Sequence, residues 1–173
     1  MNLKEKIRTI PNFPKEGIMF RDITTLLKDS EGFEYAINEL YEKYKHEKID
    51  LIAGIESRGF IIGGALAYKL GVGFVPIRKK GKLPHKVHRE EYDLEYGKDV
   101  IEMHLDAVKE GDKVLIVDDL IATGGTALAA CKLIEKAGGK VVECAFVIDL
   151  PALKGKEKLL PRKSFALVEF EGE

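Results

Sequence analysis

The stretch "KVLIVDDLIATGGTALAACKLIEK" (residues 113–136) joins an apolar run, two adjacent aspartates, a glycine pair and an alanine-rich segment. The apolar run predicts a strand over 113–118, because short continuous apolar runs are typical of strands buried on both faces. The alanine-rich segment predicts a helix that begins near Thr126 and continues to Lys136, where "AGG" ends it. The unit is therefore a strand, a glycine turn and a helix.

The same alternation of strand and helix surrounds this unit. Further strands are predicted at 50–55, 73–79, 99–105 and 140–150, and further helices from Ser30, the predicted N-cap, and at 59–71. The alternation predicts an α/β fold with a mostly parallel central sheet and helices on both faces. "SFALVEF" near the end alternates in polarity and predicts an edge strand. Ligands of such sheets bind beyond the carboxyl ends of the strands, so the residues after 55, 78 and 118 are the expected site.

Three segments do not follow this alternation. Residues 3–9 predict a short helix. Residues 10–29 carry two prolines and a glycine and predict a shaped loop, and residues 80–97 predict a long polar loop. Long polar loops in compact domains are typically functional lids.

Composition limits the classes of function. The 173 residues fit one domain over 1–173, and 28 basic against 29 acidic residues leave a formal net charge of -1. This charge disfavours binding to nucleic acid or to an anionic membrane. The first residues lack the apolar core of a signal peptide, and no apolar run reaches the ~20 residues of a membrane span. We therefore expect a cytoplasmic protein in which Cys131 and Cys144 are reduced core residues.

The glycine turn has the features of a site for one phosphate. Backbone N–H groups at a strand–turn–helix corner converge on one point, and the helix dipole favours an anion there. Gly124 and Gly125 permit close backbone approach, and Thr123 and Thr126 add hydroxyl donors. The turn lacks the lysine of a Walker A loop and does not match G-x-G-x-x-G, so it does not predict a triphosphate or dinucleotide site.

The two aspartates must face another part of the ligand. A carboxylate about 4 Å from a phosphate charge would cost about 4 kcal/mol at an effective dielectric constant near 20. Asp118 and Asp119 can instead accept hydrogen bonds from hydroxyl groups. A phosphate at one end and neighbouring hydroxyls at the other describe a ribose 5-phosphate. The alternative is a capping loop with two surface aspartates.

"VLIVDDLIATGGT" resembles the motif of the type I phosphoribosyltransferases, which bind 5-phosphoribosyl-1-pyrophosphate. The resemblance implies that Asp118 and Asp119 bind the ribose hydroxyls. It also implies that five consecutive residues surround the 5-phosphate: Ala122, Thr123, Gly124, Gly125 and Thr126. The fold that it implies is the α/β fold predicted above, with a small N-terminal hood segment over the base at 1–29.

A second strand-end turn, "GIESRGF" (54–60), suggests a pocket for the pyrophosphate. It contains Glu56, Ser57 and Arg58, and the resemblance implies a cis peptide near Glu56–Ser57. Arg58 could equally be a surface residue. Further cations in "PIRKKGKLPHKVHREEY" (76–92) are assigned to the pyrophosphate: Arg78, Lys79 and Lys82.

The alternatives for this second group are a solvated charged loop or a nucleic-acid patch. The acids that follow the cations disfavour the patch. His85 and His88 lack a third metal ligand. The preferred interpretation is that residues 80–97 form a mobile catalytic loop that closes over the pyrophosphate.

"FRDIT" (20–24), "LEYGK" (94–98) and "LKGKEKL" (153–159) resemble the members of the family that act on adenine. The resemblance implies Glu95 as the acid or base at adenine, with Tyr96 in the same loop. Relatives that act on 6-oxopurines carry an aspartate where this chain has Ala122. The expected reaction joins adenine to phosphoribosyl pyrophosphate, giving AMP and pyrophosphate.

The resemblance also implies that the adenine ring is bound by the N-terminal residues Met19, Phe20 and Arg21, although Phe20 could be a core residue. Met19 and Glu56 depart from the common pattern of a small aliphatic residue and an aspartate. Mg²⁺ is expected to be carried by the pyrophosphate rather than by direct protein ligands. A homodimer is implied, with Arg78 crossing into the neighbour's site. The alternatives are a xanthine or hypoxanthine–guanine enzyme, and a regulator that binds nucleic acid.

Overall fold

The computed structural model describes residues 1–94 and 97–172. Its helices are α1 Thr24–Lys28, α2 Ser30–Tyr44, α3 Arg58–Leu70, α4 Gly125–Lys136 and α5 Gly155–Leu159, with 3-10 turns at Leu3–Lys6 and Pro151–Leu153. Its strands are β1 Arg8–Pro11, β2 Met19–Asp22, β3 Leu51–Ile55, β4 Gly73–Lys79, β5 Val87–Asp93, β6 Lys98–His104, β7 Lys113–Ile121, β8 Lys140–Asp149 and β9 Ser164–Glu169. In these residues no helix is long and apolar enough to cross a membrane.

The central sheet has the order β5-β6-β4-β3-β7-β8-β9 within the described ranges. Strands β4, β3, β7, β8 and β9 are parallel, and the β5–β6 hairpin adds to the β4 edge in antiparallel fashion. β9 lies at the opposite edge, as its alternating sequence predicted. The predicted fold class, with a mostly parallel sheet, is confirmed.

Helices cover both faces of the sheet because side chains alternate along its central strand. On β7, Leu115 and Val117 pack in the same cluster as α2 and α3, whereas Val114 and Ile116 pack in the cluster that contains the apolar residues of α4. All four of these side chains are fully buried. Burying one such side chain contributes about 1.5–3 kcal/mol to the stability of the fold. β7 therefore contributes to the core on both faces of the sheet.

Residues 10–29 were predicted as a loop, and this prediction is wrong for part of the segment. β1 and β2 form a small antiparallel sheet in which Ile10 pairs with Phe20, and helix α1 follows. Four-residue strands are too short to display a clear two-residue period, so hydrophobic patterning did not indicate them. Asp22 ends β2 and accepts hydrogen bonds from Thr24 and Arg8.

Residues 80–97 are likewise not a continuous loop, because they contain β5. The strand carries alternating charges, which have low strand propensity, but cross-strand pairing compensates. Glu102 on β6 binds Arg89 at 2.8 Å, and Lys136 on α4 binds Glu90 at 2.9 Å. The sequence therefore did not indicate a strand that depends on pairing with β6 and on an ion pair with α4.

Smaller corrections concern the ends of elements. Asp29, not Ser30, caps α2, because its Oδ2 accepts a hydrogen bond from the Gly32 amide. β7 extends past 118 to Ile121, so the two aspartates lie within the strand, and α4 begins one residue before Thr126. The N-terminal helix is a single 3-10 turn. Cys131 and Cys144 are free thiols in the core, with Sγ atoms 3.4 Å apart.

Candidate active site

One cavity of about 550 Å³ opens at the carboxyl ends of β3 and β7. Its volume is in the range of small-molecule sites. β3 and β7 are parallel neighbours, with Gly54 paired to Val117, so the turns that follow them meet at this edge. The residues that line the cavity include most of the sequence-predicted ones: Met19, Phe20, Arg21, Arg58, Asp118, Asp119, Ala122, Thr123, Gly124, Gly125 and Thr126.

The glycine turn forms the floor of the cavity. Gly124 has φ +88°, a left-handed conformation that glycine adopts without steric conflict. Helix α4 starts at Gly125, and the Leu128 amide donates to the Gly124 carbonyl. The amides of the preceding residues are thus not committed to the helix and form the positive end of its dipole. The geometry suits a single bound phosphate.

The acid pair is held by α3. Gly59 in its first turn approaches the β7 backbone so closely that an added Cβ would lie 2.9 Å from the Val117 carbonyl oxygen. This approach brings Arg58 to Asp119, and the Arg58 Nε lies 2.6 Å from the Asp119 Oδ2. The Asp119 side chain is only 8% exposed, so its charge is compensated mainly by Arg58.

Asp118 lies beside this pair and receives a hydrogen bond from the Asp119 amide at 2.8 Å. Burial and the neighbouring Asp119 carboxylate raise the pKa of Asp118 well above its ordinary value, and Arg58 only partly opposes them. Two carboxylates share one cation here. A hydroxyl-rich ligand would add hydrogen-bond donors to both.

The predicted pyrophosphate residues divide into two groups. Arg58 lines the cavity, whereas Glu56 lies beside it and receives hydrogen bonds from the Arg78 guanidinium at 3.1 and 3.2 Å. The Arg78 pairing lowers the pKa of Glu56 against the opposing effect of burial. The Lys79 amide also donates to Glu56, and its ammonium binds Asp99 and Tyr92.

The remaining pyrophosphate residues are Ser57 and Lys82. The Glu56–Ser57 peptide bond is cis, at the position that the resemblance implied. Lys82 is exposed and its amide donates to the Lys79 carbonyl. In the part of the chain that the structure describes, Arg78 and Lys79 are thus each paired with an acidic side chain. Glu95 and Tyr96 lie outside the described residues.

The N-terminal hairpin faces the glycine turn across the cavity. Phe20 packs edge-on against Phe13, with ring centroids 5.2 Å apart. The Arg21 guanidinium lies over the Phe170 ring at 4.4 Å and donates to Thr9 Oγ1. Phe20 is therefore neither a pure core residue nor a fully exposed one, since it lines the cavity and contacts another ring.

Sequence reasoning missed part of the lining. Leu150 and Leu153, which follow β8, lie in the cavity wall with Gly17 and Ile18. The carboxyl-end rule applied to β8 would have pointed to Leu150, as it did to the turns after β3 and β7. The hairpin residues carry no such signal, because β1 and β2 are outside the main sheet.

Residues 24–171 match the phosphoribosyl transferase domain family, so the chain is a phosphoribosyltransferase by both sequence and fold. It is 61% identical over 173 residues to adenine phosphoribosyltransferase of Desulfosudis oleivorans, covering 100% of both chains. The crystal structure of adenine phosphoribosyltransferase from Thermoanaerobacter pseudethanolicus has 52% identity and a TM-score of 0.95, covering 97% of this chain and 98% of that chain.

The Saccharomyces cerevisiae adenine phosphoribosyltransferase, solved with an iminoaltritol bisphosphate and adenine, has 44% identity and a TM-score of 0.91, with 96% of each chain covered. Within the phosphoribosyltransferases, this chain belongs to the adenine phosphoribosyltransferase family. The family predicted from the sequence is confirmed.

Proposed function

We propose that this chain transfers the 5-phosphoribosyl group of 5-phosphoribosyl-1-pyrophosphate to adenine and releases AMP and pyrophosphate. The observation that carries the proposal is one cavity that joins the glycine turn, the acid pair and the N-terminal hairpin. The bond from ribose C1 to the pyrophosphate oxygen breaks, and a bond from C1 to adenine N9 forms. The N9 proton leaves the adenine ring.

Residues Ala122 to Thr126 hold the 5-phosphate in this proposal, through backbone amides and the two threonine hydroxyls. Asp118 and Asp119 accept hydrogen bonds from the ribose hydroxyls. Positive charge develops on the ribose as pyrophosphate leaves, and two carboxylates near the sugar stabilise it.

The pyrophosphate is bound by Glu56, Ser57, Arg58, Arg78, Lys79 and Lys82. Arg58 supports this assignment most directly, because it reaches from the α3 turn into the cavity. When the ribose hydroxyls donate hydrogen bonds to Asp119, they replace the Arg58 guanidinium, which otherwise pairs with Asp119 at 2.6 Å. The guanidinium can then bind the leaving pyrophosphate. The amide ends of α3 add a favourable dipole.

Adenine binds between the hairpin and the opposite wall, against Met19, Phe20 and Arg21. Backbone groups there supply both a donor and an acceptor, which match adenine N1 and its amino group. Ala122 adds no carboxylate to the glycine turn, which favours adenine over 6-oxopurines. These assignments are consistent with the hairpin residues that line the cavity.

Mg²⁺ accompanies the pyrophosphate. In the described residues no group of three His, Cys, Asp or Glu side chains is arranged to hold a metal ion. Mg²⁺ at phosphate sites commonly keeps several waters and binds substrate oxygens, so the pyrophosphate and ribose oxygens can carry the ion without a direct protein ligand, and Asp118 and Asp119 can reach it through water. When bound, the ion offsets the charge that accumulates on the leaving pyrophosphate.

Residues 80–97 form the proposed mobile catalytic loop, and residues 1–29 the hood over the base. Exposed ion pairs, such as Lys98 with Glu91 at 3.1 Å, connect β5 and β6. Such pairs contribute little to stability, so this pair adds little resistance to a movement of that part of β5. Closure would exclude water that otherwise hydrolyses the sugar.

Glu95 is the proposed acid or base at adenine, with Tyr96 beside it in the loop. A well-positioned acid or base contributes roughly 10²–10⁴-fold to the rate, so Glu95→Ala should lower kcat with adenine by about that factor. Glu91→Ala on the same hairpin is the control and should leave kcat within about twofold. A near-normal kcat for Glu95→Ala would remove Glu95 from the mechanism.

We further propose a cytoplasmic homodimer in which Arg78 reaches the neighbour's pyrophosphate site. Exposed apolar side chains on α3, Ile61 at 47% and Tyr68 at 90%, support a contact with another chain. Light scattering coupled to size exclusion should give a mass near twice that of the chain. A monomer at assay concentration with full activity would contradict this proposal.

A base panel tests the function itself. The protein is incubated with phosphoribosyl pyrophosphate and Mg²⁺, and with adenine, hypoxanthine, guanine or xanthine in turn. AMP from adenine, with little product from the other bases and none after chelation of Mg²⁺, is expected. Equal turnover of guanine would overturn the specificity, and no nucleotide from any base would overturn the proposed reaction.

A further inference from the structure

We propose that Gly155, the first residue of α5, is a positioning residue for the phosphate-binding turn. Its missing side chain lets the backbone of α5 lie directly against Ala122 and Gly124 and fix the turn's amides in the conformation that binds the 5-phosphate. The inference rests on the proposed function, which assigns the 5-phosphate to this turn. It gives a role to the "LKGKEKL" motif (153–159), which the mechanism above does not use.

The contact is between two backbones and is crowded from both sides. A Cβ added at Gly155 would lie 2.5 Å from the Ala122 carbonyl oxygen and 3.1 Å from the Gly124 amide nitrogen. A Cβ added at Gly124 would lie 2.7 Å from the Gly155 carbonyl oxygen. Nonbonded atoms do not approach this closely, so any side chain at 155 must displace one of the two segments.

The α5 side of this contact is firmly anchored. Leu159 is fully buried in the core cluster that contains α4, and the Leu150 amide donates to the Ile121 carbonyl. Lys156 lies 3.6 Å from Asp149, which is buried at the end of β8. The contacts of Lys156 and Leu159 therefore hold the segment that begins at Gly155, and the Leu150 hydrogen bond holds the chain just before it. We expect the turn, in which Thr123 is exposed, to be the part that shifts.

Displacement of the turn would act on phosphate binding specifically. Hydrogen bonds from amides to an anion depend strongly on distance and angle, and the loss of one weakens binding roughly 10- to 100-fold. The adenine side of the cavity is formed largely by the N-terminal hairpin, whereas the atoms nearest to an added Cβ at Gly155 belong to Ile121, Ala122 and Gly124. Gly155→Ala should therefore raise the KM for phosphoribosyl pyrophosphate and leave the KM for adenine nearly unchanged.

Gly139 provides a matched control. It lies between α4 and β8, at the other end of α4 from the glycine turn, and a Cβ there would meet Val108 Cγ1 at 2.7 Å and Ile134 Cγ2 at 2.9 Å. Gly139→Ala therefore introduces similar crowding away from the cavity. Both variants should lose stability, but only Gly155→Ala should lose affinity for the sugar phosphate.

The experiment measures both KM values, the melting temperature and the affinity for ribose 5-phosphate by calorimetry, for wild type and both variants. We expect Gly155→Ala to raise the KM for phosphoribosyl pyrophosphate and the Kd for ribose 5-phosphate by about tenfold or more, with the adenine KM within about threefold. Unchanged affinities in Gly155→Ala, or equal losses in both variants, would overturn the inference.

Ribose 5-phosphate separates this inference from the proposed reaction. If wild type makes no AMP but binds ribose 5-phosphate, the reaction fails while the role of Gly155 is still measured. If Gly155→Ala does not fold, Leu159→Val tests the inference in its place. This substitution removes one methylene from the side chain that holds α5 in the core. It should raise the Kd for ribose 5-phosphate about threefold, and Leu40→Val, an equally buried change in α2, should not. Equal Kd values for these two variants would overturn the inference.

Discussion

The two turns that meet at the cavity are built by different means. The turn after β3 contains Glu56, Ser57 and Arg58, and its charged side chains are tied to Arg78 and Asp119. The turn after β7 contains small residues, with Gly124 at φ +88° against Gly155. Packing against an anchored backbone fixes the second turn before any ligand arrives. The first is held by ion pairs that a charged ligand can replace.

The turn after β7 is therefore a preformed subsite. The turn after β3 is an exchangeable one, because a ligand can replace the partners in its ion pairs. In the proposed function, the glycine turn receives the 5-phosphate in the conformation that packing against Gly155 already gives it, so little ordering is expected on binding. Arg58 and Arg78 each have an acidic partner, and the ligand must compete with that partner. Backbone changes should therefore damage the glycine turn most, and charge changes should damage the β3 turn.

The largest effect is expected from Gly124→Ala, which changes the backbone conformation of the preformed turn. It combines a left-handed φ with a Cβ 2.7 Å from the Gly155 carbonyl oxygen. We expect kcat/KM for phosphoribosyl pyrophosphate to fall by roughly 10³-fold, because several amide–phosphate bonds lose their geometry together. Steady-state kinetics at varied phosphoribosyl pyrophosphate measures this.

Gly111→Ala is the control for conformational strain alone. Gly111 also has a left-handed φ of +86°, and no described heavy atom lies within 4 Å of its added Cβ. It should cost about 1–2 kcal/mol of stability and leave kcat/KM nearly unchanged. If both variants lost the same activity, crowding against Gly155 would not be the reason for the glycine at 124.

A smaller loss is expected from Arg58→Ala, which breaks the exchangeable turn. The buried Asp119 would lose its cation, and the leaving group would lose one of several charges. We expect kcat/KM to fall by roughly 10²-fold and the free energy of unfolding to fall by about 1–2 kcal/mol, since the arginine is half-exposed. Kinetics and urea unfolding measure the two effects.

Arg58→Ala combined with Asp119→Asn gives the matched comparison. The double variant should regain part of the lost stability, because one of the two carboxylates that Arg58 compensates is now neutral, but not the activity. Recovery of activity without recovery of stability would contradict the assignment of Arg58 to the leaving group.

The smallest effect concerns Asp118 and is a dependence of stability on pH. Burial and Asp119 raise the pKa of Asp118 above 3.8, so its ionised form is less favourable in the folded protein than in the unfolded chain. Below that value the group is protonated in both states and the effect vanishes. As the pH rises, wild type should lose stability relative to Asp118→Asn.

Urea unfolding of both proteins between pH 4 and pH 8 measures this gap. The variant should be the more stable at pH 8 and equal to wild type near pH 4, while its kcat/KM falls roughly tenfold through the lost carboxylate at the ribose. A wild type that is more stable than the variant at pH 8 would show that Asp118 is stabilised as an anion, contrary to this account.

The elements with strong local signals were predictable. The apolar runs at 51–55, 113–117 and 140–149 are strands, and Gly71 ends α3 in a left-handed conformation as expected. β5 was not predictable, because its charged residues have low strand propensity and are held by pairing with β6 and by ion pairs with Glu102 and Lys136. Local propensity cannot register a partner that lies far along the chain.

The candidate site divides in the same way. Residues 118–126 and 56–58 could be identified from the sequence, because each set lies where a predicted strand ends and a predicted helix begins. Leu153 and Gly155 could not be identified in this way, because their part in the site depends on where α5 packs. The pairing of Arg58 with Asp119 joins two motifs whose proximity depends on β3 and β7 being neighbours in the sheet.

The sequence by itself determined the order of the parallel strands and of the helices that connect them, the glycine turn, the acid pair and the family to which the chain belongs. Periodicity, glycine and charge are local properties, so these features can be read from neighbouring residues. Only the tertiary structure decided that β5 is a strand, that Arg58 neutralises Asp119, and that Gly124 lies against Gly155. Each of these depends on contacts between distant segments, which packing of the whole sheet brings together.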